Sequence, residues 1–141
     1  MTDTTFNLAH WQEDLQQLEL GQQKITSAVF KHVTSVLGAR PHQRHSSLKS
    51  QSDYQTILRT KRHEMYWLVM DTRMGFLRLT YPDWDDSLSP DAPFRAVRTQ
   101  WTDKKRDKRI DLPRDASTVD VGQLLALIDR IHEMANAHYD A

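Results

Sequence analysis

Apolar positions along the 141-residue chain fall into two stripes of helical period, one at each end, with alternating segments between them. In the first third, Leu8, Trp11, Leu15 and Leu18 recur at three-and-four spacing, and Ile25, Val29, Phe30, Val33, Val36 and Leu37 continue that stripe. The pattern predicts one long helix from Leu8 to Leu37. Gly21 lies inside it, where glycine costs about 1 kcal/mol relative to alanine, so any bend is expected there. Gly38 and Pro41 supply the stop. At the other end Val121, Leu124, Leu125, Ile128, Ile131 and Ala135 share one stripe, and Asp120 stands three residues after Ser117 as an acidic variant of a capping box.

Between the helices the period changes to two. Tyr54–Arg59 predicts a first strand, followed by a basic turn at Thr60-Lys61-Arg62. From Met65 to Met70 both alternating faces are apolar: Met65, Trp67 and Val69 against Tyr66, Leu68 and Met70. A strand apolar on both faces belongs at the centre of a sheet. After the polar insert Asp71-Thr72-Arg73, the run Met74–Tyr81 sets Gly75, Leu77, Leu79 and Tyr81 on one face, completing a hairpin with a three-to-five-residue connection. Phe94–Trp101 and Lys108–Leu112 predict two further strands. The segments 39–53 and 82–93 predict loops, the first a mobile polar linker and the second acidic, anchored by Trp84 and Leu88.

The expected fold is therefore a single α+β domain over residues 1–141: an antiparallel sheet of four or five strands covered by a long N-terminal helix and a C-terminal helix. This order, ending in a strand, a Ser/Thr/Asp cap and a Leu-rich helix, is similar to that of small domains of the MmcQ/YjbR type. The similarity is one of element order, and it implies no residue role.

Composition narrows the chemistry. Apolar residues at 38% and charged residues at 27% suit a folded core. The absence of cysteine excludes disulfides, thiolate metal sites and cysteine nucleophiles, and suits a reducing compartment. No basic-then-apolar leader opens the chain and no run approaches the 18 or so apolar residues of a membrane span. A soluble cytoplasmic protein without a membrane partner is expected. Charge balances at 19 basic against 19 acidic residues, but unevenly: residues 54–114 are net +4 and residues 115–141 net −4. A helix of some eight turns, about 45 Å long, would overhang a sheet of this width, so a homodimer is expected to cover its end.

Candidate sites follow from residue type and spacing. His42 and His45, with His63, and His132, Glu133 and His138 invite a metal, but no His-Glu-x-x-His element is present and no metal or other cofactor is expected. Asp83, Asp85, Asp86 and Asp91 lack the glycine and glutamate of an EF-hand loop. Ser46, Ser47, Ser50 and Ser52 near His42 and His45 leave room for an enzyme of unrecognised type, but no nucleophile elbow or phosphate-binding glycine loop occurs. The densest basic cluster comprises Lys104, Lys105, Arg106, Lys108 and Arg109 beside Trp101, a combination that can neutralise phosphates and stack on a base. Asp103, Asp107 and Asp111 interrupt it. The sequence thus points first to a binding or interaction module without a catalytic site, and second to nucleic-acid binding through residues 101–109.

Overall fold

The computed structural model describes residues 4–6, 8–45, 54–60, 65–72, 74–82, 84, 96–100 and 106–140. Its elements are β1 (Thr4–Thr5), α1 (Leu8–Gln16), α2 (Leu20–Lys31), a π-helical turn (His32–Val36), β2 (Arg40–His45), β3 (Tyr54–Arg59), β4 (Tyr66–Asp71), β5 (Arg78–Pro82), β6 (Ala96–Gln100), β7 (Arg106–Asp111), a 3₁₀ turn (Ala116–Thr118) and α3 (Val121–Tyr139). The strands form one antiparallel sheet in the order β1-β2-β3-β4-β5-β7-β6. The α+β class is as expected, and β3 to β7 occupy the five segments where the alternation placed strands. β4, apolar on both faces, is the middle strand.

Two further strands widen the sheet. Arg40–His45, expected to open a mobile polar linker, instead pairs with all of β3, and β1 adds a two-residue ladder at Thr4↔Gln43 and Thr5↔His42. Polar composition hid this strand, because its hydrogen bonds come from neighbours and not from an apolar face. Pro41 does not act as a stop. It sits where β1 does not reach, so its missing N–H takes no bond from a ladder on that side.

The helices also differ from expectation. The longest is α3, and the N-terminal run is two short helices and a π-helical turn, with the break at 17–19 and not at Gly21. Gln17 and Leu18 close tight i→i+3 bonds onto Asp14 and Leu15, and Glu19 then takes extended backbone angles. Gly21 lies within the first turn of α2, and a Cβ there would stand 2.9 Å from Ala116 Cβ. The glycine thus permits α2 to touch the 3₁₀ turn. Gln22 secures the same contact, its amide donating to the carbonyls of Pro113 and Arg114 at 3.0 and 2.8 Å. The helix α1 folds back so that Trp11 and Phe6 both meet the Phe30 ring, at 4.3 and 5.4 Å. The helical run ends at Gly38 as expected: its φ is +71°, and Ala39 N donates back to Val33 O at 2.8 Å.

All three helices pack on one face of the sheet. The core joins Ile25, Val29 and Val33 of α2 and its π turn, and Leu124, Ile128, Ile131 and Ala135 of α3, to Leu58, Leu68, Met70, Leu79 and Ile110. The ladder aligns these last residues, pairing Leu58 with Leu68, Met70 with Leu79, and Leu79 with Ile110. Strict alternation would turn Trp67 away from the helices, with Val69. Instead the β3–β4 register slips, Leu58 facing Leu68 and Arg59 facing Tyr66, so that Trp67 is an extra bulged residue. The bulge swings Trp67 into the helix-side core, fully buried and 4.9 Å from the His132 ring.

The β4–β5 connection spans residues 72–77, longer than the expected three to five. Gly75 turns it, with φ +85° and its N–H bonded to Thr72 O. At the start of α3 the cap is Asp120 itself, which accepts from Gln123 N, whereas Ser117 sits in the preceding turn bonded to Asp115. Among the described residues, no helix is long and apolar enough to cross a membrane.

Candidate binding edge and the histidine seam

A seven-stranded open sheet has two edges, and they are built differently. One ends in the two-residue β1, the short blunt strand by which natural sheets discourage further pairing. At the other edge stands β6, five residues long and free of proline, paired among the described residues with β7 alone. Arg106, Lys108 and Arg109 of the basic cluster singled out in the sequence thus lie on β7, beside the last strand of the sheet. Residues 95–109 carry seven basic and two acidic side chains.

Trp101, Lys104 and Lys105 lie outside the described residues, and Arg106 opens β7 opposite Gln100. Lys108 and Arg109 are consecutive on a strand and so belong to opposite faces. Lys108 pairs in register with Tyr81 on the helix side and is only 7% exposed, while Arg109 pairs with Thr80 on the other face and is half-buried. Lys108 and Arg109 therefore do not lie on one track. Across the last ladder Arg98 stands directly opposite Lys108, a like-charge pairing at the edge.

The acidic residues that interrupt the cluster are drawn toward the inner strands. Asp107, 5% exposed, accepts a 3.2 Å hydrogen bond from the Tyr66 hydroxyl of β4. Asp111 takes a two-pronged contact from Arg78 of β5, at 2.6 and 3.3 Å, and lies 3.8 Å from Arg109. Asp107 is buried and must be satisfied where it sits, whereas Asp111 is exposed between Arg78 and Arg109. Sequence spacing suggests neutralisation within the hairpin, and the Arg109–Asp111 contact is one instance of it.

A second cluster brings His132, noted in the sequence, near His32 and Asp129, which were not. His32, in the π-helical turn, lies with Nε2 2.6 Å from Asp129 Oδ1 of α3, a pairing across 97 positions. One turn along α3, His132 leans on Trp67, and the Asn136 amide stands 3.4 Å from its Nε2. Burial pushes the His132 pKa below 6.5 and His32 pushes the same way, while Asp129 and Glu133 oppose them. π-Helical turns recur at functional sites, but here the turn aims one imidazole at one carboxylate and joins two helices. A histidine ending one helix and an aspartate on the rim of another carry no periodic signal that could have linked them.

The remaining candidates separate. His42 and His45 fall on opposite faces of β2, being an odd number of residues apart. His132 and His138 point to different partners, Trp67 and Trp84. Among the described residues no group of three or more histidines and carboxylates converges on a metal position. His63, the serines at 46, 47, 50 and 52, and the aspartates at 83, 85, 86 and 91 lie outside the described residues. Comparison with family models, curated proteins and solved structures finds no match.

Proposed function

We propose that the protein is a binding module without catalytic chemistry of its own, acting through the β6–β7 hairpin on an anionic partner. The observation that carries this reading is the position of β6. A strand paired, among the described residues, with β7 alone, in a segment with seven cations, is both a pairing template and a source of positive potential. Asp107 accepts from Tyr66 and Asp111 from Arg78, both on inner strands, while Asp111 also stands 3.8 Å from Arg109. A reducing, cytoplasmic setting suits a chain with no cysteine. Self-association is not part of this reading: the long rod that argued for a dimer is broken at 17–19, and α2 with its π turn spans about 25 Å.

The test is fluorescence anisotropy with labelled polyglutamate, oligo-dT and oligo-U at low and physiological salt, comparing the wild type with Arg98→Gln/Arg106→Gln. Retention of at least one polyanion, weakened by the double substitution and by salt, is expected. If none is retained at low salt, the reading is wrong.

A further inference from the structure

Independently of the β6–β7 hairpin, we infer that the cavity beneath α1 is a binding site for one water molecule, held by the Thr26 hydroxyl and joining α1 and α2 to the sheet.

Three parts of the chain build this cavity. Trp11, Asp14 and Leu15 lie on one stripe of α1, Thr26 is on α2, and Thr56, Met70 and Thr72 come from the sheet side. Thr56 and Met70 are direct cross-strand partners, which puts them on one face of the sheet, and Thr72 lies two residues beyond Met70. The three α1 residues are only half-buried. Short threonine side chains beneath and beside the helix do not fill the space that longer ones would.

The observation that carries the inference is Thr26. It is 2% exposed, and its Oγ1 has no hydrogen-bond partner among the described residues. A helical threonine can donate to a carbonyl three or four residues back, as Thr34 does to Phe30 O at 2.7 Å. Thr26 makes no such bond. A buried hydroxyl without a partner is costly, and the hydroxyl of Thr26 borders a space that can hold one.

Size and lining select the ligand. The space amounts to about 10 Å³ for the centre of a water-sized sphere, enough for a single water and too little for an organic molecule. Cavities that stay dry are apolar, whereas Asp14, Thr26, Thr56 and Thr72 all bring side-chain oxygens to this one. A water here accepts from or donates to Thr26 Oγ1 and finds among the other three the two to four partners that an ordered water needs.

The experiment is oxygen-17 magnetic relaxation dispersion on the full chain, which reports long-lived internal waters, for the wild type, Thr26→Val and Thr26→Ser. Valine keeps the shape of threonine without the hydroxyl, and serine keeps the hydroxyl. The amplitude is expected to fall by about one water in the valine variant and to persist in the serine variant. Equal amplitudes in the wild type and the valine variant would overturn the inference. A crystal structure of the wild type needs no variant: one density peak about 2.5–3.0 Å from Thr26 Oγ1 is expected, and its absence would also overturn the site. Replacing choline chloride by sodium or potassium chloride at constant ionic strength should leave the urea midpoint unchanged. A midpoint that rises with either metal ion would mean that these oxygens hold a cation and not water.

Discussion

The Tyr139 hydroxyl donates a 2.6 Å hydrogen bond to the backbone carbonyl of Tyr66, joining the last residue of α3 to the first of β4. Trp84, just beyond β5, stands edge-on to the Tyr139 ring at 5.8 Å. One side chain thus closes the C-terminal helix onto the middle strand, beside the bulge that turns Trp67 inward.

Tyr139→Phe keeps the ring and removes the bond. A loss of about 1–2 kcal/mol is expected, from the hydrogen bond and the orphaned carbonyl, measured as a lower urea midpoint at constant slope. Burial raises the Tyr139 pKa above 10.0. The bond's contribution is therefore complete below pH 10 and is lost as pH rises through the folded-state value, and the phenylalanine variant lacks that alkaline limb.

Trp67→Ala empties the bulge position at the centre of the core. We expect a loss of about 3–5 kcal/mol, or failure to fold. Trp67→Phe retains most of the apolar volume and should cost clearly less. Equal midpoints for the wild type and the alanine variant would show that Trp67 is not in the core.

His132 titrates against the fold. Its folded-state pKa is depressed below 6.5, chiefly by burial, so its neutral form belongs to the folded state. Its contribution is complete above pH 6.5 and is lost as pH falls through the folded-state value. Urea midpoints across this range should fall toward acid, and His132→Phe should flatten that slope. An NMR titration of the ring that gives an ordinary or raised pKa would contradict the assignment.

Gly21→Ala tests the close approach of α2 to the 3₁₀ turn. Helix propensity alone favours alanine by up to about 1 kcal/mol. The new Cβ, however, would lie 2.9 Å from Ala116 Cβ, and overpacking of this kind costs about 1–3 kcal/mol. Net destabilisation is expected, and Ala116→Gly should relieve it in a double-mutant cycle. Additive effects would mean that the two residues do not touch.

Local periodicity made a good part of this fold legible. Tyr54–Arg59 could be read as a strand and the α3 stripe as a helix because their own residues alternate or repeat at the right spacing. Features set by distant partners were not legible. The close approach of α2 to the 3₁₀ turn at Gly21 and Ala116 joins segments 95 residues apart, the bulge at Trp67 reflects a slipped register with Arg59, and β2 is held by ladders on either side of a polar segment. The candidate site shows the same division. Its basic composition was visible, but its place at the sheet edge, and the inward engagement of Asp107 and Asp111, come from strand order and cross-strand register.

The order β5-β7-β6 also governs how the chain assembles as it is made. β6 is synthesised before β7 but, among the described residues, pairs with β7 alone, so it has no described strand to join until those after Gln100 have emerged. Hairpins of this kind close in about 1–10 μs, whereas pairing β7 with β5 closes a longer loop at a greater entropic cost. During translation β5 is itself a temporary edge, exposed until β7 covers it. A chain cut after Gln100 would lose Ile110 of β7 and the whole of α3 from the core, together with the strand that holds β6.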